Sequence, residues 1–459
     1  MLPVVLLAIV WWRQGSLSRR VLIAITPYFA LALVFGLMTV WFQKHQAILG
    51  VTVQTETPWG KLVGAAQAVW FYLGKALVPV RLCLIYPRWP MNASVGAVAL
   101  VGLALSFLVG WRFRRSWGRH GLLTLGCFVA CLFPVLGFFD MYFLVFARVS
   151  DHFAYLPLIA IVTLVAAGLH SVLPHRILPL AGLVLLAALG FLTVQRARVF
   201  ATDEGLWLDT LAKNPSAWNA HNNLGCILAE RNQVDEAMKH FAKSVELNPL
   251  NVSAHCNLGK GFVAKGDFAE AEKQFRTALQ IRPDHVDTLK CYGSALAGQH
   301  RREEAVQQLG EAVRLKPDTE TRLQLAPLLA VLGKPHDAIR QWRAVLAVES
   351  NSFAAINNLA WVLATAADDS ARDGAEAVSL AERACRATGR NDAKPLGTLA
   401  AAYAEAGQFT NAVRAAEQAI EVANATGNSG FARINQQLLE IFRSGRPYHE
   451  APPRAPTSP

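Results

Sequence analysis

Acidic residues are almost missing from the first 200 residues of this 459-residue chain. That part holds Glu56, Asp140 and Asp151 against thirteen arginines and three lysines, whereas the remainder carries 28 basic and 30 acidic residues. The formal charge of +11 therefore lies among long apolar runs and is no footprint of a nucleic-acid partner. A single soluble domain is excluded, and we predict a membrane domain in residues 1–200 followed by a soluble domain.

Motifs of soluble enzymes and of metal centres are also missing. The seven cysteines form no CxxC pair and stand at no metal-ligand spacing from histidine. No nucleotide-binding loop, nucleophile elbow or zinc motif occurs. We therefore predict no metal site, no bound cofactor in the soluble half and no disulfide framework, and the sequence identifies no catalytic residue.

Five apolar runs reach or approach the roughly 20 residues that a helix needs to cross a bilayer. They are Val21 to Phe42, Val95 to Trp111, Leu122 to Phe139, Phe153 to Val172 and Ile177 to Val194. Residues 62–80 carry Gln67 and Lys75 among clustered aromatic side chains, which predicts an interfacial helix rather than a span. Met1 to Trp12 is apolar but too short to cross, and we expect it to be the second half of a helix that begins upstream.

Arginines in two short loops orient the predicted spans. Residues 13–20 hold three arginines and residues 112–119 hold four, so the positive-inside rule places both loops in the cytoplasm. This requires residues 43–94 to form one external region. Residues 140–152 are then external too, and the soluble half lies outside the cytoplasm. The alternative is the opposite topology, in which the soluble half binds a cytosolic partner.

The soluble half contains a 34-residue repeat. An Asn-Leu-Gly triplet at residues 223–225, followed by alanine, phenylalanine and proline, recurs from residue 257, and a related pattern begins at Tyr292. This is the tetratricopeptide period, in which small residues let two antiparallel helices pack closely. We predict an α-solenoid over residues 201–446, with a half repeat, about six repeats and a cap helix at Phe431 to Phe442. The proline-rich residues 447–459 are predicted to be disordered.

The concave face of such a solenoid is a predicted binding surface for polypeptide. Asn223, Asn257 and Asn358 recur at one repeat position, where side-chain amides can pair with the backbone of an extended ligand. The alternative is that each asparagine only satisfies a neighbouring turn. His221 and His255 recur one period apart at the position of a packing aromatic, which favours a structural role over metal binding.

Polar residues mark both predicted external segments. Charges that border a membrane are costly, so these residues form a candidate site for a group such as a lipid phosphate. The alternative is interfacial anchoring, with Asp151 paired to Arg148 or His152. The site residues are Arg81, Tyr86, Arg88, Arg148, Asp151, His152 and Tyr155.

A family resemblance arises from three features. The segment Lys75 to Pro90, the stretch Asp151 to Pro157 and the repeats that follow together resemble the transmembrane and tetratricopeptide-repeat-containing protein O-mannosyltransferases and their bacterial relatives. The resemblance implies a C-superfamily glycosyltransferase in a bacterial inner membrane, which takes sugar from a polyprenyl-phosphate carrier and transfers it to a protein hydroxyl outside the cytoplasm. Its repeats would face the same side, Arg81, Arg88 and Arg148 would hold the carrier phosphate, and Tyr86 and Tyr155 would line the lipid or sugar end of the carrier.

One departure from that family leaves two functions open. The family's acidic catalytic residues belong to an earlier external loop that has no counterpart here, so we expect this chain to lack the catalytic beginning. Asp151 is expected to serve a structural role. The first hypothesis is the C-terminal portion of a membrane O-glycosyltransferase whose repeats present a protein acceptor. The second is a non-catalytic, membrane-anchored scaffold for protein–protein interaction.

Overall fold

The computed structural model describes residues 1–47, 57–89 and 92–451, and helices are the only regular secondary structure among them. The all-α prediction is therefore confirmed. Glu56, Pro90 and residues 452–459 lie outside the described residues. The chain divides into two compact units, Met1–Pro249 and Leu250–Pro459, and each is described by itself.

Ten α-helices are described in the first unit. They are α1 (Leu2–Gln14), α2 (Arg19–Phe42), α3 (Pro58–Leu77), α4 (Ala93–Arg112), α5 (Gly118–Leu132), α6 (Tyr155–Val172), α7 (Leu178–Val199), α8 (Asp203–Lys213), α9 (Trp218–Glu230) and α10 (Val234–Leu247). Short 3₁₀ turns lie at Phe133–Val135, Tyr142–Val145 and Asp151–Ala154, and a π-helical turn at Gln43–Ala47 extends α2.

Five helical segments in the described residues are long and apolar enough to cross a membrane: Arg19–His45, Ala93–Arg112, Gly118–Val135, Asp151–Val172 and Leu178–Val199. They coincide with the five predicted runs. No side chain of α7 is buried, and Leu183 and Leu186 on it are 65% and 69% exposed. Such continuous exposed apolar surface fits a lipid surrounding better than water.

The helix over the run predicted from Leu122 to Phe139 begins and ends earlier than expected. Helix α5 ends at Leu132 and passes into the 3₁₀ turn Phe133–Val135. Pro134 lies in that turn, where proline has no backbone N–H to continue the helical hydrogen bonds. Gly137 then adopts a φ of 90°, a left-handed conformation that turns the chain away from the helix axis.

Helix α3 occupies the predicted interfacial segment but begins earlier, at Pro58. Thr57 caps it by accepting a hydrogen bond from the Gly60 N–H at 3.1 Å, and proline suits the first helical position because it needs no N–H there. One face is buried, including Val63 and Val69. Gly96 of α4 allows the close approach, since a Cβ there would lie 2.6 Å from the Val63 Cβ.

The second unit contains helices α11 to α21 and a 3₁₀ turn at Asp369–Ala371. The helices are α11 (Val252–Ala264), α12 (Phe268–Ile281), α13 (Val286–Gly298), α14 (Arg302–Leu315), α15 (Thr319–Val331), α16 (Pro335–Val348), α17 (Phe353–Thr365), α18 (Gly374–Ala387), α19 (Ala393–Glu405), α20 (Phe409–Ala425) and α21 (Ser429–Arg443).

Glycine at the repeat position explains how each helix pair packs. A Cβ on Gly259 of α11 would lie 2.7 Å from the Phe275 ring of α12, and one on Gly293 would lie 2.7 Å from Leu309. In the first unit, Gly225 of α9 meets Phe241 of α10 in the same way, at 2.6 Å. The period in the sequence thus corresponds to a real close approach of two helices, and the large partner side chains are buried.

The segment after α21 differs from the prediction of a disordered tail. Residues 447–451 are described, and the Glu450 N–H donates to the Thr365 carbonyl at 2.7 Å. Tyr448 packs against the apolar core of the second unit. Composition predicted disorder because apolar residues are few here, but these residues contact a surface that the rest of the second unit has already formed.

Candidate functional site

Tyr86 and Asp151 form the centre of the predicted external site. The Tyr86 hydroxyl donates a hydrogen bond of 2.7 Å to Asp151 Oδ1, and Tyr86 is 7% exposed. Phe71 lies edge-on at 4.9 Å between ring centroids, and Lys75 Nζ lies 5.6 Å from the Tyr86 ring centre. Burial and the adjacent carboxylate raise the pKa of Tyr86, so the phenol stays protonated and acts as a donor.

Asp151 has a hydrogen-bond partner that the sequence did not indicate. Its hydrogen-bond partner is Tyr86, whereas His152 Nδ1 shares a hydrogen bond of 2.7 Å with the Ser150 hydroxyl. The Ser150 N–H is fixed in turn by the Tyr72 hydroxyl at 2.9 Å. Because this buried stretch is held against α3, the 3₁₀ turn that follows presents Asp151 to the first external segment.

The three arginines predicted to hold a carrier phosphate have different neighbours. Arg88 Nη2 donates to the carbonyls of Leu144 and Val145 at 2.9 and 2.6 Å, which ties the two external segments together. The Arg148 guanidinium lies over Gly64, where a Cβ would come within 2.0 Å of Nη2. Arg81 is exposed, with a φ of 50°. Phosphate binding by these residues stays a prediction.

Tyr155 stands apart from this cluster. It is the first residue of α6 and is 72% exposed, unlike the buried Tyr86. Its predicted role at the lipid or sugar end of a carrier therefore also stays a prediction.

A charged group that sequence analysis missed holds α8 to the first external segment. Asp209 of α8 binds Arg196 of α7 at 2.8 Å and Lys213 at 2.6 Å. Lys213 also donates to the Leu82 carbonyl at 2.8 Å, and Asn214 Nδ2 donates to the Ile85 carbonyl at 3.1 Å. Only the i, i+4 spacing of Asp209 and Lys213 was visible in the sequence; the other contacts join residues more than ten positions apart.

The same segments pack on the first complete repeat. Ile85 and Ala147 share a buried apolar cluster with Ala217 and Ala220. The rings of Phe146 and Trp218 are 5.4 Å apart. Residues 81–89 and 140–150 are therefore structural supports for α8 and α9, in addition to bearing the candidate site.

A cavity of about 520 Å³ lies between α3 and α4, lined by Gln67, Trp70, Phe71, Trp89, Asn92, Val95 and Ala99. Trp70 Nε1 donates to the Ala99 carbonyl at 2.9 Å. Within the described residues, the buried atoms Gln67 Oε1 and Trp89 Nε1 have no hydrogen-bond partner. Both side chains line the cavity, and an amide oxygen together with an indole N–H could bind a ligand hydroxyl, which can both donate and accept.

The asparagines at the repeat position are half-buried on first helices. Asn223 lies on α9, where it accepts a hydrogen bond from Asn222 Nδ2 at 3.3 Å. Asn257 lies on α11 and Asn358 on α17. On α17, Trp361 and Thr365 follow Asn358 by three and seven positions and therefore share its face.

The recurrent histidines take part in side-chain hydrogen bonds. His221 Nδ1 lies 2.9 Å from His240 Nδ1 on α10, and His221 Nε2 lies 3.2 Å from the Pro215 carbonyl. His255 Nδ1 lies 2.7 Å from Gln274 Oε1. Burial lowers the pKa of both His221 and His240. In the described parts of the chain, no three metal-ligating side chains converge on a common point.

Comparison with known proteins identifies the repeats. Tetratricopeptide-repeat family models match residues 218–251 and 262–332, so the chain contains tetratricopeptide repeats, as predicted. No curated protein matches the chain, and no comparison supports the resemblance to the O-mannosyltransferases.

Solved structures that are similar to part of this chain include tetratricopeptide proteins. YrrB, described as having an unusual peptide-binding site, is 19% identical, with a TM-score of 0.34; the match covers 50% of this chain and 98% of YrrB. PilF of Pseudomonas aeruginosa is 21% identical, with a TM-score of 0.39, and the match covers 48% of this chain and 96% of PilF. The first tetratricopeptide domain of Spaghetti, bound to an HSP90 peptide, is 20% identical, with a TM-score of 0.24 and coverage of 24% and 89%.

Proposed function

We propose that this chain is a membrane-anchored scaffold whose tetratricopeptide repeats bind an extended polypeptide outside the cytoplasm. The observation that carries the proposal is the recurrence of half-buried asparagines on the first helices of three repeats, Asn223, Asn257 and Asn358. Amide side chains at this position pair with a ligand's backbone without selecting its sequence. The anchor is the set of five helices long enough to cross a bilayer.

The asparagine face can be tested by substitution in the full chain. Changing Asn223, Asn257 and Asn358 together to Ala should weaken binding of a fluorescein-labelled, permanently unfolded polypeptide by at least tenfold and leave thermal unfolding nearly unchanged. Asn411→Ala, the same change on α20, where the amide donates to Gln408 Oε1 at 3.0 Å, serves as the control. A large loss of stability without a specific binding defect would assign the asparagines to turns instead.

The external placement of the repeats rests on the arginine loops at residues 13–20 and 112–119. A reporter enzyme active only in the cytoplasm, fused after residue 446, should be inactive. Activity of that fusion would reverse the topology and direct the search for partners to the cytosol.

A second candidate, glycosyl transfer from a polyprenyl-phosphate carrier, is favoured by the cavity between α3 and α4. Its aromatic walls and the unpaired Gln67 Oε1 and Trp89 Nε1 suit a hydroxylated ring. Purified protein in nanodiscs should then bind a radiolabelled polyprenyl-phosphate mannose, and Gln67→Leu should abolish that binding. Equal retention of the lipid by wild type and variant would remove this candidate.

A further inference from the structure

The chain after α21 contacts the repeat array through both its backbone and its side chains. The Glu450 N–H donates to the Thr365 carbonyl at 2.7 Å, and Glu450 Oε1 accepts a hydrogen bond from Trp361 Nε1 at 2.7 Å. Thr365 is the last residue of α17, and its carbonyl is one of those that a helix end leaves without an internal partner. One tail residue therefore satisfies a helix terminus and an indole donor together.

The two residues before Glu450 add different contacts. The Tyr448 ring lies 6.2 Å from the Trp361 ring and packs on the apolar core. His449 Nε2 donates to Glu405 Oε2 at 2.7 Å. Glu405 also receives Arg372 Nε at 2.9 Å, so an ion pair that does not involve the tail holds the acceptor in place.

The contacted surface continues the predicted peptide-binding face. Trp361 and Thr365 lie three and seven positions after Asn358 and so point to the same side of α17. Glu405 is the last residue of α19, the first helix of the next repeat. The tail thus uses the side of the repeats on which an extended ligand is expected.

We propose that Tyr448-His449-Glu450 is a built-in ligand of the α17–α19 groove, and that the partner of this groove is an extended segment with an aromatic, a cationic or imidazole and an acidic residue in that order. The proposal rests on the proposed function, since it names the ligand class of the same surface. The partner binds only by displacing the tail. A tethered tail acts at a local concentration in the millimolar range, so it excludes weak ligands and admits tight ones.

The test measures whether the groove is occupied in the full chain. A fluorescein-labelled peptide of residues 446–459 is titrated into the full-length protein and into a chain that ends at Gly445, both in nanodiscs. The shortened chain should bind the peptide at least tenfold more tightly, because its groove is empty. Equal affinity, or no binding to either protein, overturns the proposal.

Two further variants test the proposal, the first of them even if the shortened chain misfolds. Glu450→Lys in the full-length protein places a cation against the indole donor, and it should release the tail and raise peptide affinity about tenfold. In the shortened chain, Trp361→Phe keeps an aromatic ring but loses the Nε1 donor. It should weaken binding of the tail peptide about tenfold. The matched control is Tyr403→Phe, which removes a hydroxyl bonded to Glu382 at 2.9 Å and leaves the tail contacts untouched.

Failure of this proposal is distinguishable from failure of the proposed function. If unfolded polypeptide binds through the asparagine face but the tail peptide neither binds nor competes, the function stands and the built-in ligand is overturned. If the tail peptide binds the shortened chain and unfolded polypeptide never does, the contact at Trp361 stands and the general peptide-binding function falls.

Discussion

The Tyr86 hydroxyl and the Asp151 carboxylate meet at 2.7 Å across 65 residues of sequence. The two residues come from the two segments predicted to be external, and both segments also support the first repeat. A single hydrogen bond therefore links the candidate membrane-border site to the base of the repeat array.

Tyr86→Phe should destabilise the first unit by about 1–3 kcal/mol, because it removes a buried hydrogen bond to a charged group and leaves Asp151 without its donor. Thermal unfolding in detergent measures the loss. Tyr155→Phe also removes a tyrosine hydroxyl, but from a residue that is 72% exposed, and it should change the melting temperature little. An unaltered melting temperature for Tyr86→Phe would mean that water replaces the phenol at no cost.

Asp209→Asn should loosen α8 from the first external segment. The carboxylate binds both Arg196 and Lys213, and its neutral replacement leaves two cations side by side. Hydrogen exchange should become faster in α8 and at residues 82–86, by at least tenfold. Asp203→Asn, at the N-terminal turn of α8, is the control. Faster exchange confined to α8 alone would show that Lys213 still holds the segment through the Leu82 carbonyl.

The His221–His240 pair should make the α9–α10 hairpin sensitive to acid. The two Nδ1 atoms at 2.9 Å can share only one proton, and burial lowers both pKa values below the usual 6.5. The unfolded chain then binds protons first, so stability is full above about pH 6.5 and falls as the pH drops through the lowered folded pKa values. Lys243 opposes protonation of His221, whereas Glu246 and Glu236 favour it for His221 and His240 respectively.

The acid effect is measured by hydrogen exchange of α9 and α10 at pH 5 and pH 7.5. His240→Gln keeps a side-chain donor for His221 but cannot titrate. It should reduce the difference in exchange rate between pH 5 and pH 7.5. An unchanged pH dependence in this variant would assign the effect to other groups.

Gly259→Ala should destabilise the second unit by about 1–3 kcal/mol, because the new methyl group would lie 2.7 Å from the Phe275 ring. Adding Phe275→Leu should recover part of the loss by making room. Gly298→Ala is the control, since nothing beyond its chain neighbours and its own turn of helix lies within 4 Å of its Cβ position. If both alanine variants melt alike, the close approach is not what requires glycine at this repeat position.

Local patterns in the sequence predicted most of the fold. The 34-residue spacing of Gly225 and Gly259 predicted helix pairs because it is the tetratricopeptide period, and the five apolar runs predicted long helices because their length matches the thickness of a bilayer. The contacts within the candidate site were harder to predict from the sequence. Asp151 was assigned to its neighbours Arg148 and His152, whereas its partner lies in another segment, and no local pattern encodes which distant side chain a fold brings near.

The residues after α21 also show a limit of prediction from the sequence. Composition describes how much apolar surface a segment can bury by itself, but it does not describe a surface that is already folded. The Tyr448 ring lies beside the Trp361 ring, and the Glu450 N–H donates to the carbonyl of Thr365. Segments of this kind are detectable only once the receiving surface is known.

The connection between α7 and α8 consists of Phe200, Ala201 and Thr202 alone, and three residues span at most about 10 Å. If α7 crosses the bilayer as proposed, α8 starts at the depth of the lipid headgroups and has no slack to lift away. A captured polypeptide would then diffuse in two dimensions with the membrane, and encounter with other membrane proteins would depend on their surface density rather than on their concentration in solution.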